Sequence, residues 1–201
     1  MKKFTVKANN YLQMETKGYY NCEYVGYQKS GNPDFINHLK NMSKKSNELD
    51  FVHDFTEVFE RSNKDIKGII EKENFSNCVV IVIPRSKSEN SYSQSQLLFK
   101  KAISCVADQI GVKNGTHAIK RVKDSKTTHS WRMENNMGDM PYEGITKETC
   151  TIDANAFSGI NVILVDDIYT EGVNVAEDCI QTLLDFGAKN VILYVIAKTR
   201  K

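Results

Sequence analysis

The chain has 201 residues, 40% of them apolar and 26% charged, with a net charge of +2. That length supports one large domain, or a domain with an appendage, and an ordinary hydrophobic core. The near-balanced charge excludes a global attraction to nucleic acid or membrane, so any basic function must be local. Five cysteines (Cys22, Cys78, Cys105, Cys150 and Cys179) without a C-x-x-C pair argue against a zinc ribbon or a disulfide framework. No apolar stretch follows Met1, and no run approaches the roughly 18 apolar residues of a membrane span. The expectation is a cytoplasmic protein that does not enter the membrane.

Residues 1–35 are rich in Tyr and Asn. Phe4–Val6 and Cys22–Tyr27 read as short strands, with Lys17-Gly18 and Ser30-Gly31-Asn32-Pro33 as turns. Asp34 is placed to cap a helix running to about Met42. Asn47–Glu73 carries helical periodicity at Phe51, Phe55, Val58, Phe59, Ile66, Ile69 and Ile70, opposite a charged, solvated face. Cys78–Ile83 (C-V-V-I-V-I) is a continuous apolar run, the signature of a strand covered on both faces. It ends in Pro84-Arg85-Ser86-Lys87-Ser88, which sets positive charge at one end of that strand. Ser91–Ile110 reads as an amphipathic crossover helix that Gly111 stops, and Thr116–Val122 as a shorter strand.

A long polar segment follows, from Arg121 to Phe157. Lys120, Arg121, Lys123, Lys126, His129 and Arg132 cluster at its start. Connections beyond about 12–15 residues are usually functional or mobile. A basic mobile loop facing a phosphate-rich site reads as a lid that excludes water; the other reading is a nucleic-acid patch.

Asn161–Asn174 (N-V-I-L-V-D-D-I-Y-T-E-G-V-N) organises the rest. Val162–Val165 is a second buried strand, and it leads into adjacent carboxylates, Asp166 and Asp167. The loop Thr170-Glu171-Gly172-Val173-Asn174 then opens onto a helix, Val175–Phe186, for which Asn174 is a candidate cap and Gly187 a stop. Val191–Ala197 is the last strand, and a charged tail ends the chain. This order of elements implies a parallel α/β sheet with right-handed crossovers. Ligands in such sheets sit at the carboxyl ends of the strands.

The chemistry of the stretch follows from its donors. The first-turn amides of the helix and the Thr170 hydroxyl suit an anion, and Gly172 permits close backbone approach. Two carboxylates next to a phosphate fit a ligand with vicinal hydroxyls one sugar-length away. A ribose 5-phosphate has both features.

The stretch resembles the phosphoribosyl pyrophosphate (PRPP) signature of type I phosphoribosyltransferases: a hydrophobic strand, two acids, and a T-x-G-x-T-like loop. The resemblance implies that Asp166 and Asp167 hold the ribose hydroxyls, while Tyr169, Thr170, Glu171, Gly172, Val173 and Asn174 form the 5′-phosphate loop. Glu171 and Asn174 depart from the family's usual Thr. By the same resemblance, Arg85, Ser86 and Lys87 hold the pyrophosphate, with the Ser86 and Ser88 amides as donors. Residues 78–201 look like the ComF family within that class. Arg121-Val122-Lys123-Asp124-Ser125-Lys126-Thr127-Thr128-His129, with His129 where the family has Gln, and Arg132-Met133-Glu134-Asn135 echo its loop, but its amino-terminal zinc-binding cysteines are missing.

The implied fold is a type I phosphoribosyltransferase-like parallel sheet flanked by helices (residues 76–201), with residues 1–75 as a small cap or hood over the carboxyl edge. The implied activity is Mg2+-dependent transfer of phosphoribosyl from PRPP to a base or amine, with release of pyrophosphate. Asp166, Asp167, Arg85 and Lys126 carry it, and Tyr169 is a candidate contact for the acceptor base. No protein metal cage is expected: Mg2+ is held mainly by PRPP and water, with Asp166 as its one protein contact. The acceptor is not readable. A second copy of the chain and nucleic acid stay open as partners. The alternative is a non-catalytic PRPP or nucleotide sensor that binds nucleic acid through the basic loop.

Overall fold

The two continuous apolar runs become neighbouring central strands. In the computed structural model, which describes residues 1–26, 29–41, 48–94, 96–124 and 144–200, β3 (Cys78–Val82) lies parallel to β7 (Asn161–Tyr169). The remaining strands of the sheet are β1 (Lys2–Val6), β2 (Thr16–Tyr24), β4 (Lys113–Asn114) and β8 (Asn190–Thr199). Their order is β1-β2-β8-β7-β3-β4, and every neighbouring pair except β1–β2 is parallel. The fold is therefore α/β, with a mostly parallel sheet flanked by helices.

Burial on both faces explains the unbroken apolar strands. On one face Val80, Val82, Ile163, Val165, Ile192 and Tyr194 pack against α1 (Asp34–Asn41), α2 (Glu48–Glu73) and α3 (Leu98–Ile110). On the other, Val79, Ile81, Val162, Leu164, Leu193 and Val195 pack against α4 (Val175–Asp185). That second layer also holds a small antiparallel pair, β5 (Ile119–Arg121) and β6 (Cys150–Ile152).

Several expectations change. Gly18 is not in a turn but mid-strand, because it sits opposite Phe4 in the β1–β2 ladder. A Cβ on Gly18 would come within 2.4 Å of the Phe4 ring, so only glycine lets the aromatic lie across the strand. The strand expected over Thr116–Val122 leaves the main sheet. The Asn114 side chain turns the chain there, binding Thr116 with its oxygen and Ser104 and Asp108 of α3 with its nitrogen. Regular α3 starts at Leu98 rather than Ser91, since residues 86–92 fold around the Tyr92 hydroxyl.

Residues 1–75, expected to stand over the carboxyl edge, are built into the same sheet and core. β2 pairs with β8 from Gly18 to Tyr24, and Ile66 and Ile69 of α2 are fully buried against it. At the carboxyl edge Tyr24, the end of β2, pairs with Thr199, and from the β1–β2 connection Lys7 and Asn9 reach Glu171 and Asn174. No helix among the described residues is long and apolar enough to cross a membrane.

Candidate functional site

The site is built where β3 and β7 part. The Ile83 N–H donates to the Val165 carbonyl at 3.0 Å, and the next residue, Pro84, has no N–H to continue the ladder. Among the described residues this is the last main-chain bond between the two. β7 runs on against β8 to Tyr169, which lies opposite Lys198. A crevice at the carboxyl end of central strands is the ligand position of open parallel sheets. The structure thus brings the Pro84–Ser88 turn and the Asp166–Asn174 stretch to one edge.

Asp166 and Asp167 stand at a break in strand alternation. Val165 and Ile168 both pack on the α1–α3 side, although strict alternation puts residues three apart on opposite faces. Leu164 and Tyr169 likewise share the α4 side. The aspartates absorb the shift locally. Asp166 Oδ1 accepts the Asp167 N–H at 2.8 Å, and Asp167 Oδ1 accepts the Ile168 N–H at 2.6 Å. Both acids are half-buried.

The loop after β7 is a tight turn. The Val173 N–H donates to the Thr170 carbonyl at 3.2 Å, with Gly172 at φ +88° in the third position. That conformation favours glycine, and a Cβ there would meet nothing within 4 Å, so the tip of the turn is open. The Thr170 hydroxyl lies 2.6 Å from the Thr199 hydroxyl of β8. A hydroxyl both donates and accepts, so Thr170 keeps a proton for a ligand whenever Thr199 is the donor. Glu171 is exposed and lies 3.8 Å from Lys7 of the β1–β2 connection. Asn174, at φ +68°, is the residue before α4, but its side chain makes no capping bond. Its Oδ1 instead accepts from Asn9 at 3.2 Å. Among the described residues no protein acceptor takes the N–H groups of Gly172, Asn174, Val175 or Ala176. They are donors without a protein acceptor at the positive end of a helix.

Tyr169 departs from its expected role against an acceptor base. Its ring is 4% exposed, lies 5.0 Å from the Phe4 ring, and gives its hydroxyl proton to Glu177 Oε1 at 2.7 Å. Burial first, and that bond second, push its pKa well above the ordinary tyrosine value.

The Pro84–Ser88 turn is cationic but its donors are partly committed. Arg85 gives a bond to the Gln96 carbonyl at 3.1 Å and lies over the Tyr92 ring at 4.7 Å. The Lys87 N–H goes to the Tyr92 hydroxyl. The Ser88 amide, expected to face an anion, donates to Asp124 Oδ1 at 2.8 Å. Sequence reasoning missed this internal carboxylate, because Asp124 and Ser88 are joined only by the fold. Arg121 is also reassigned: it is 5% exposed, and its guanidinium holds the carbonyls of Arg85 (3.3 Å) and Gly144 (2.8 Å). It is a strut for the turn and not a surface cation. Lys120 and Lys123 are exposed. Lys126, His129, Arg132 and Asn135 lie outside the described residues, as does Tyr27.

Among the described residues no group of three or more His, Cys, Asp or Glu is arranged to hold a metal. A separate hollow of about 320 Å³ is lined by Phe55, Leu97, Lys100, Ser104, Cys105 and His117, and none of the edge residues borders it. No protein-family model matches this chain, and no curated protein sequence matches it significantly.

Proposed function

We propose that the protein is a phosphoribosyltransferase that moves the 5-phosphoribosyl group of PRPP to a nitrogenous base or amine and releases pyrophosphate. The supporting observation is the meeting of three groups at the parting of β3 and β7: paired aspartates, a glycine turn with uncommitted helix-end amides, and a cationic turn. In this reading the amides of Gly172, Asn174, Val175 and Ala176 take the 5′-phosphate. Asp166 and Asp167 accept from the ribose hydroxyls and orient C1. Arg85 and Lys87 neutralise the leaving pyrophosphate. The acceptor nitrogen's lone pair forms the bond to C1, the C1–O bond breaks, pyrophosphate leaves with its electron pair, and the nitrogen loses a proton.

Mg2+ is a hard cation that takes oxygen ligands. Each aspartate accepts a backbone amide on one oxygen, and a carboxylate oxygen that accepts one such bond retains a lone pair for a cation. That donor set suits a metal held mainly by PRPP and water, with Asp166 as the contributing side chain. When bound, the metal supplies charge neutralisation to the pyrophosphate.

The same pocket in a non-catalytic sensor is the rival reading. Buried Arg121 narrows the basic surface such a sensor would show to nucleic acid. The test is pyrophosphate release from PRPP and Mg2+ across a panel of bases and amines, with Asp166→Asn/Asp167→Asn as control. Release that needs one acceptor and vanishes in the variant supports the transferase. PRPP binding without release supports the sensor.

A further inference from the structure

We infer that Asn9, in the β1–β2 connection, is a positioning residue for the phosphate loop: it fixes the Asn174 carboxamide with its N–H groups available to an incoming phosphate. This rests on the reading of residues 170–174 given above.

The argument begins with which end of Asn9 is which. Asn9 Oδ1 accepts the N–H groups of Tyr11 at 2.8 Å and Leu12 at 3.1 Å. Main-chain bonds between Asn9 and Leu12, at 2.9 and 3.3 Å, close the same turn. Leu12 is fully buried in the α4 layer, so the turn is pinned. The Gln13 N–H adds a second tie to α4, at 3.0 Å from Gln181 Oε1. An atom that accepts from two amides is the oxygen, which makes the other terminus of Asn9 the NH2 donor.

That donor lies 3.2 Å from the Asn174 side chain, so the Asn174 atom facing it is the acceptor, Oδ1. The consequence is twofold. An asparagine before a helix ordinarily turns its oxygen onto the first-turn amides, where it competes with any anion. Here Asn9 holds that oxygen, and the helix start has no side-chain cap. The Asn174 NH2 then becomes a further donor, doing what a threonine hydroxyl would do at this position. Sequence gave no hint of this, because the partners are 165 positions apart.

The test uses the full chain and ribose 5-phosphate, which probes the loop without pyrophosphate. Affinity is measured for wild type, Asn9→Asp, Asn174→Ala and the double variant. Asn9→Asp keeps an acceptor for the Tyr11 and Leu12 amides but forces Asn174 to reverse and present its oxygen. We expect tenfold or greater weakening in Asn9→Asp, and a double variant no weaker than Asn174→Ala alone. Wild-type affinity in Asn9→Asp overturns the inference. So does an equal loss when Asn9→Asp is placed on Asn174→Ala, which would mean that the added charge acts directly. Should Asn9→Asp fail to fold, the wild-type NMR titration decides. The Asn174 side-chain NH2 signals must move with ligand; if they stay still while the Gly172 amide moves, Asn9 positions nothing. No movement of the Gly172 and Asn174 amides in wild type at millimolar ligand overturns the loop reading itself, and the inference with it.

Discussion

Tyr169 gives its hydroxyl proton to Glu177 Oε1 at 2.7 Å, tying the end of β7 to the first turn of α4 across the proposed phosphate loop. Glu177 is 2% exposed, and its other oxygen, Oε2, has no hydrogen-bond partner. Tyr169→Phe therefore strands a second buried carboxylate oxygen. The expected cost is about 1–3 kcal/mol, read as a lower urea midpoint with an unchanged slope. Glu177→Gln keeps an acceptor for Tyr169 and is expected to be at least as stable as wild type. An unchanged midpoint in Tyr169→Phe contradicts the assigned tie.

Alkaline pH should unfold the protein through its buried tyrosines. Burial, with a bond to Glu73, pushes the Tyr19 hydroxyl up to about 12, and burial raises Tyr169 and Tyr194 as well. In the unfolded chain these groups titrate near 10. Between those values the folded state holds more protons, so stability falls as pH rises. It is complete below about pH 10 and lost as pH rises through about 12. Tyrosinate absorbance followed alongside circular dichroism should show the late-titrating fraction ionising together with unfolding.

The Asp124 carboxylate on the Ser88 amide stands where a pyrophosphate oxygen is proposed to bind. Asp124→Asn retains an acceptor for that amide and removes a full negative charge. Pyrophosphate should then bind severalfold more tightly, with the gain shrinking at high salt. Equal affinity in the two proteins would separate the Ser88 turn from the anion site.

Arg121 is a structural cation. Its guanidinium holds two carbonyls in a buried setting. Bonds from charged groups are worth roughly 1.5–3 kcal/mol each, so Arg121→Met should cost about 3 kcal/mol or more and loosen the Arg85 turn. Thermal unfolding checks the cost. If the stability stays put and only a nucleic-acid salt dependence changes, Arg121 belongs to a binding surface after all.

The legible parts of this fold are those where local pattern and burial coincide. Cys78–Ile83, Val162–Val165 and Val191–Ala197 are apolar without interruption because helices cover both faces, and their strands follow. The α4 boundaries follow from its periodicity and from Gly187. What could not be read depends on distant partners. Gly18 looks like a turn residue until Phe4 is placed across it. β2 (T-K-G-Y-Y-N-C-E-Y) mixes polar and aromatic residues and is mostly half-buried, so its seat beside β8 carries no run of apolar residues to announce it. At the site, the two aspartates and the glycine turn were legible as a motif. The Asn9 hold on Asn174, the burial of Tyr169 and the Asp124 contact were not, since each joins segments far apart in sequence.

The most direct measurement is calorimetry of PRPP with Mg2+ on the wild type and on Asp166→Asn/Asp167→Asn. Each aspartate should contribute roughly 1.5–3 kcal/mol to holding the ribose hydroxyls, about ten- to a hundredfold in affinity. The account predicts micromolar binding to the wild type and none detectable in the double variant, with both proteins equally folded. Equal heats from both proteins, or no heat from the wild type, would contradict it.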